Sequence, residues 1–484
     1  MTLAMPFAFL CQLLLLAAVH VTSSNAQEHL VFAHHVVGFT FNYTQQDWAN
    51  DIQLAMSKGI DGFALNAGHE DWQPTQVSNA YQAALNFTDF KLFLSFDMSS
   101  FPCSNVSDGD PLRQMINGYA KHPNQVQVDN KMLISTFIGD NCTFGAETVD
   151  QGWLNTVKNN VSATYFLPNF NAPPETMGTF TSIDGIFNWN AAWPESASPA
   201  QSDITLFSAT NTNVTFDPDQ RYIDRLGERR YMAGVSPWFF THYGAPLNKN
   251  WIYRADDWLF IQRWQLLVEN RDKVAFAQII SWNDYSESHY VGPFEGTPPD
   301  GTNWVSGFDH TPWLDLQEYY ITAFKTGSYP DVTDDRIYLW GRLYPANMTI
   351  SNDPIGIPDN WQWASDVAWG VALLGQPGTL HLTCADSTTD IPVNAGQNLI
   401  QMPLNQSCGI TAELTRGKKK VKVLDYTPLG FNFTTNTPNQ YNFNAFVAAS
   451  PAGAGVKSSA MLTRVASSWQ FLFTLSVVLS VFLS

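Results

Sequence analysis

The chain is poor in charge, and poorest in positive charge: charged residues make up 14 % of it, with 25 Lys and Arg against 43 Asp and Glu. Globular chains usually carry about 25 % charge. A formal net charge of −18 argues against a nucleic-acid partner, because phosphate backbones are bound by clustered cations. The one basic run, Arg416 to Lys422 (RGKKKVK), reads as a solvated strand or turn. Cysteine is also scarce, at five residues. A G-x-S-x-G nucleophile elbow is missing, and no pair of His stands near a third ligand at zinc-site spacing. No repeat of fixed period is found, and neither a metal nor an organic cofactor is expected.

What is present begins at the ends. Met1 to Ala26 holds an apolar run, Phe7 to Val19, followed by small residues at Ser24 and Ala26. This is the pattern of a secretory signal peptide, although no Lys or Arg precedes the run. At the other end Ser458, Ser459 and Ala460 precede a spacer and an apolar tail, Phe471 to Leu483. That arrangement reads as a glycolipid (GPI) anchor signal with attachment at Ser458; the other reading, a membrane span, lacks basic residues beyond it. Ala449 to Gly455 is a Pro/Gly linker. Losing both signals would remove only Arg464 from the charge, taking −18 to −19.

In a secreted chain the nine Asn-x-Ser/Thr sequons become candidate glycan sites on exposed loops: Asn42, Asn86, Asn105, Asn141, Asn160, Asn213, Asn347, Asn405 and Asn432. Cys11 leaves with the signal peptide, so Cys103, Cys142, Cys384 and Cys408 remain. An even number in an oxidising compartment suggests two disulfides. Sequence neighbourhood favours Cys103 with Cys142 and Cys384 with Cys408, among three possible pairings. Aromatic residues make up 14 %, including 17 Trp. Weakly charged, ring-rich surfaces suit uncharged sugars, whose apolar faces stack on rings.

From His29 to about Lys325, short β-branched or aromatic runs alternate with amphipathic segments. Strands are predicted at Leu30–Val37, Gly62–Asn66, Lys91–Phe96, Met132–Ile138, Thr164–Pro168, Gly185–Asn190, Tyr231–Pro237 and Val274–Trp282. Helical spacing falls between them, as in Gln45–Ser57, Thr75–Asn86, Pro111–His122 and Arg254–Asn270. Eight such units over about 300 residues predict a (β/α)8 barrel, assigned to residues 27–329. Beyond Tyr329 helical periodicity nearly vanishes, and residues 330–448 are predicted to form a β-sandwich; 449–458 is the linker and 459–484 the anchor signal.

Barrel active sites lie at the C-terminal strand ends. The polar residues there are His34 and His35, Asn66, Asp97, Asp140, Asn169, Asn190 with Trp193, Trp238 with His242 and Tyr243, and Asp284 with Glu287. The last exit, AQIISWNDYSES, opens a buried-looking strand into two carboxylates three residues apart. Glycoside cleavage needs one carboxylic acid to protonate the leaving oxygen and one carboxylate to activate water or attack carbon. The spacing by itself suits a structural loop or a calcium site as well. Asp97 can position sugar or water or cap a helix, and His35 can bond hydroxyls or serve the structure. Trp189, Trp193, Trp238 and Trp282 are stacking candidates, about half of them expected in the core. Asn66, Tyr243 and Tyr285 complete the set of expected substrate contacts.

Together with VFAHHVVGFT (Val31 to Thr40), GIDGFALNAG (Gly59 to Gly68), KLFLSFDMS (Lys91 to Ser99) and GVSPWFFTHYG (Gly234 to Gly244), that exit closely resembles the fungal α-1,3-glucanases, or mutanases, of glycoside hydrolase family 71. The resemblance runs from about Glu28 to Phe446. It implies endo-acting or processive hydrolysis of α-1,3-glucan with inversion, carried by Asp284 and Glu287, with Glu287 as general acid and Asp284 as base. The rival expectations are a glucan-binding wall protein without activity and a glycosidase acting on another polymer. A monomer is expected, with α-1,3-glucan as partner and the membrane reached only through the anchor.

Overall fold

The computed structural model describes residues 29–193, 214–294 and 301–451. The expected signal peptide, the anchor signal with Ser458, most of the linker and Asn213 lie outside the described residues. Eight parallel strands follow the predicted runs closely: β1 Leu30–Val36, β2 Gly62–Ala67, β3 Lys91–Asp97, β4 Lys131–Phe137, β5 Thr164–Phe166, β6 Gly185–Asn188, β7 Arg230–Val235 and β8 Phe276–Ile279. Their order is β5-β4-β3-β2-β1-β8-β7-β6, with a ninth short strand, Gln127–Val128, antiparallel on β4. The sheet curls until its ends approach, where Phe187 N donates to Pro168 O at 2.8 Å and Asp184 N to Phe166 O at 2.8 Å.

Helices cover the outside of this sheet, among them α1 Gln45–Ser57, α2 Gln73–Ala84, α3 Asp110–Tyr119, α4 Val149–Trp153, α5 Asp217–Leu226, α6 Leu259–Glu269 and α7 Thr311–Thr326. A capping box begins α1: Asp47 N donates to Thr44 Oγ1 and Thr44 N to Asp47 Oδ2. Gly327, at φ +82°, ends α7 in the left-handed conformation glycine tolerates. With both faces covered, the strands are buried nearly throughout. Their sequences are accordingly continuous apolar runs and do not alternate.

Beyond α7 lie two antiparallel sheets. One has β9 Arg336–Gly341, β10 Val367–Leu374, Gly396–Pro403 and Phe446–Ala449; the other is built around Gly378–Cys384 and Cys408–Arg416. Alternate residues of β9 decide the layering. Tyr338 and Trp340 join the core of the larger unit, whereas Ile337 and Leu339 join a second core with Leu380, Leu382, Ile410 and Leu414 of the other sheet. β9 and β10 are therefore buried on both faces, and VAWGVALL in β10 reads as one apolar run for that reason. Both disulfides form in the neighbour pairing, Cys103–Cys142 and Cys384–Cys408, with Cα–Cα distances of 5.0 and 5.2 Å. Asn42, Asn86, Asn105, Asn141, Asn160, Asn347, Asn405 and Asn432 are exposed, as a glycan requires.

Candidate active site

After β8 the chain makes an excursion from Ser281 to Val291 that is stitched at its base. Ser281 N donates to His289 O at 2.6 Å and Val291 N to Ser281 O at 3.0 Å. The Asn283 side chain pins it to β1, accepting from Val36 N at 2.7 Å and donating to Val36 O at 3.1 Å. On its other side a hairpin inserted after β7, Phe240–Tyr243 with Lys249–Ile252, holds the loop: Phe240 N donates to Glu287 O and Ser288 Oγ to Phe240 O.

This frame presents Asp284 and Glu287 around a buried imidazole. His289 Nε2 stands 3.2 Å from Glu287 Oε2 and 3.5 Å from Asp284 Oδ2, while its Nδ1 faces Ser281 Oγ at 3.1 Å. Lys249 Nζ approaches Glu287 Oε1 at 3.7 Å. Asp284 Oδ1 accepts from Ser286 Oγ at 2.6 Å and from Glu287 N at 3.1 Å. Burial raises the Asp284 carboxyl above its ordinary value, and His289 only partly opposes this. Burial also pushes Glu287 upward, but His289 and Lys249 outweigh it and the net shift is downward. For His289 burial favours the neutral ring, yet the two carboxylates prevail and its pKa rises. Asp284 is thus shifted up and Glu287 down, the reverse of the order that the roles expected from the family resemblance call for.

Ligand atoms of Asp284, Glu287 and His289 all lie within 4.8 Å of one another. These three are the residues that could hold a metal ion. His289 carries a positive charge into the cluster when protonated, which disfavours a cation in the same place. The short span also bears on the expected stereochemistry, since inverting glycosidases keep their carboxyls roughly 6.5–9.5 Å apart.

Several expected contacts join this group. Tyr243 is half-buried and its hydroxyl feels both Asp284 and Glu287. Trp189 stacks edge-on between His34 and His289, with ring centroids at 4.9 and 5.9 Å, and Trp193 lies 5.8 Å from the His289 ring. Asp97 ends β3, is raised by burial, and is pulled down by the same Lys249 that faces Glu287. Asn66 ends β2, almost fully buried beside His34.

Four others lie in the core. Trp282 is fully buried against Phe63. Trp238 donates to Phe443 O at 2.9 Å and packs on Trp313. Tyr285 donates to Pro293 O at 2.9 Å. His35 pairs with Asp51 at 3.0 Å, both wholly inaccessible. Trp193, at 3 % exposed, is as buried as Trp238 and Tyr285, but lies against the His289 ring. Sequence reasoning missed His289, which stands two residues after Glu287, just past the motif that drew attention, and Lys249, whose hairpin has no periodic signal.

The last strand of the curled parallel sheet opens into two half-buried carboxylates around one buried imidazole, a layout that suits glycoside cleavage. Residues 27–460 match the model of glycosyl hydrolase family 71, and the chain belongs to that family. Its curated relatives include the glucan endo-1,3-α-glucosidase agn1 of Schizosaccharomyces pombe, 34 % identical over 84 % of this chain and 91 % of that one. A mutanase of Penicillium rubens is 32 % identical over 90 % of this chain and 91 % of that one. The ascus wall endo-1,3-α-glucanase of Schizosaccharomyces pombe is 30 % identical over 86 % of this chain and 95 % of that one.

Proposed function

We propose that the chain hydrolyses α-1,3-glucosidic bonds in cell-wall α-glucan, in endo or processive fashion, using Asp284 and Glu287 as an acid–base pair. The observation that carries the reading is a pair of carboxyls at a strand exit flanking one buried imidazole at 3.5 and 3.2 Å, with burial raising Asp284 and His289 and Lys249 lowering Glu287. A pair pushed apart in this way has one member ready to give a proton and one ready to take it. Asp284 is assigned as the acid that protonates the leaving oxygen. Glu287 is assigned as the base, through Oε1 on the side of Lys249, since Oε2 is engaged by His289. Substrate identity is supported by relatives named for α-1,3-glucan. We read residues 27–329 as the catalytic barrel and 330–448 as a β-sandwich. A relative from the ascus wall supports a place outside the cell, and the C-terminal anchor is part of this proposal.

Inversion is proposed for the stereochemical course. One observation favours a retaining course, namely the carboxylate oxygens within 4.8 Å, because retaining pairs stand only about 5–5.5 Å apart. Proton NMR of the first seconds of hydrolysis separates the two. A β-configured new reducing end supports inversion; an initial α-anomer rejects it and makes one of the pair a nucleophile.

A further inference from the structure

Two features on the catalytic face remain without a role. Phe41, in the loop after β1, is 64 % exposed. Its ring meets the half-buried Trp72, in the loop after β2, edge to face at 5.1 Å. The backbone beneath Phe41 is fixed: Gln76 of α2 donates to Phe41 O at 3.3 Å and Tyr43 O at 3.0 Å, and is itself held by Trp48 Nε1 at 2.9 Å. A ring kept in water by a rigid support pays no ordering cost when a ligand stacks on it.

The second feature is a cavity of about 370 Å³ on the far side of the β2–α2 loop. His69, Asp71, Pro74, Phe101, Pro102 and Met115 contribute to its wall. The wall is built, since His69 N and Nδ1 both face Ser100 Oγ at 2.9 Å and the Cys103–Cys142 bridge follows Pro102 directly. Apolar surfaces with a few polar groups between them match the alternation of C–H faces and hydroxyls on a sugar ring.

Both features connect to the proposed catalytic pair. Phe39, two residues before Phe41, contacts Tyr285 between the two carboxylates, with ring centroids at 6.1 Å. The loop that walls the cavity starts at Asp97, at the end of β3, where Ser100 N and Phe101 N donate to Asp97 O. From β8 through β1 and β2 to β3 the strip crosses three strand intervals of about 4.8 Å each, wider than one sugar ring.

Resting on the function proposed above, we propose that Phe41 and Trp72, with the cavity beside them, form a surface that holds a run of glucosyl units away from the bond being cut. Its ligand is an uncharged α-glucan chain, and it serves long or insoluble substrate and not short oligosaccharides. The neighbouring sequon at Asn42 offers a competing occupant, the chain's own glycan.

The test uses the secreted full-length ectodomain, the double variant Phe41→Ala/Trp72→Ala, the single variant Phe41→Ala as a milder change, and Asn42→Gln. Sedimentation with insoluble α-1,3-glucan reads binding, and kcat/KM on α-1,3-oligosaccharides of increasing length reads catalysis. The double variant is expected to lose about tenfold in binding and in kcat/KM on the longest substrates, ~1.4 kcal/mol, with the shortest cleaved as by wild type. The single variant loses part of this and Asn42→Gln none. Equal loss at every length, no loss on long chains, or the same loss in Asn42→Gln would each overturn the proposal. A wild-type chain that sediments with the glucan through these rings but cleaves no length rejects the catalytic reading instead.

Discussion

At the residue scale the site turns on how Asp284, Glu287 and His289 shift one another. His289 and Lys249 lower Glu287 by more than burial raises it, while at Asp284 burial outweighs His289 and the net shift is upward. If Asp284 is the acid, its loss is tolerated when the leaving group needs no proton. Asp284→Asn is therefore expected to lose about 10²–10⁴-fold on glucan yet cleave an α-1,3-glucanosyl fluoride near the wild-type rate. Glu287→Gln should fail on both, and the opposite pattern in steady-state kinetics would restore the roles implied by the family resemblance.

The acid limb of the pH profile follows the same electrostatics. Lys249 lowers the Glu287 pKa, so removing its charge raises it, and Glu287 is then protonated at a higher pH. Lys249→Met should move the acid limb of kcat/KM upward in pH while the alkaline limb, set by Asp284, shifts less. A full pH profile of the variant checks this, and an unmoved acid limb would remove Glu287 from the role of base. The carboxylates themselves were legible in the sequence because two acids at a barrel strand exit are conspicuous. His289 and Lys249 were not, since neither their spacing nor their type marks them before the loop is folded.

At the scale of elements, the loop from Ser281 to Val291 owes its shape to partners far away in sequence. Asn283 reproduces with one amide the paired hydrogen bonds of a neighbouring strand, reading both the N–H and the C=O of Val36. Asn283→Asp keeps the acceptor and replaces the donor facing Val36 O with another oxygen. Leaving that buried carbonyl unpaired costs about 1–3 kcal/mol. The expected result is a fall of roughly ten- to hundredfold in kcat with KM little changed and the folded circular dichroism spectrum kept. The eight strands of the large sheet were readable because each is a short apolar run between polar segments, and their bounds fell within a few residues. The rings were harder. Trp189 and Trp282 both follow a buried strand and precede an Asn, yet Trp282 packs into the core against Phe63 while Trp189 opens toward His289, a difference that only tertiary packing creates.

At the scale of the whole molecule, the C-terminal sheets are part of the same body as the site. Trp340 and Tyr338 face the larger core from β9. Trp238, at the exit of β7, hydrogen-bonds Phe443, and His242 of the hairpin that clamps the catalytic loop pairs with Asp353 at 2.9 Å. The near absence of helical periodicity beyond Tyr329 announced β-structure, but not which strands share a sheet, because Gly396–Pro403 is half exposed and Phe446–Ala449 only four residues long. The central claim joins this fold, this carboxylate pair and one polymer. The most direct measurement of it is the release of reducing ends from insoluble α-1,3-glucan, laminarin, starch and mannan, supplied in turn to the wild-type protein and to Glu287→Gln. The account predicts release from α-1,3-glucan alone, and its loss by at least about a hundredfold in the variant. Release from another polymer in preference, or a variant as active as wild type, would contradict it.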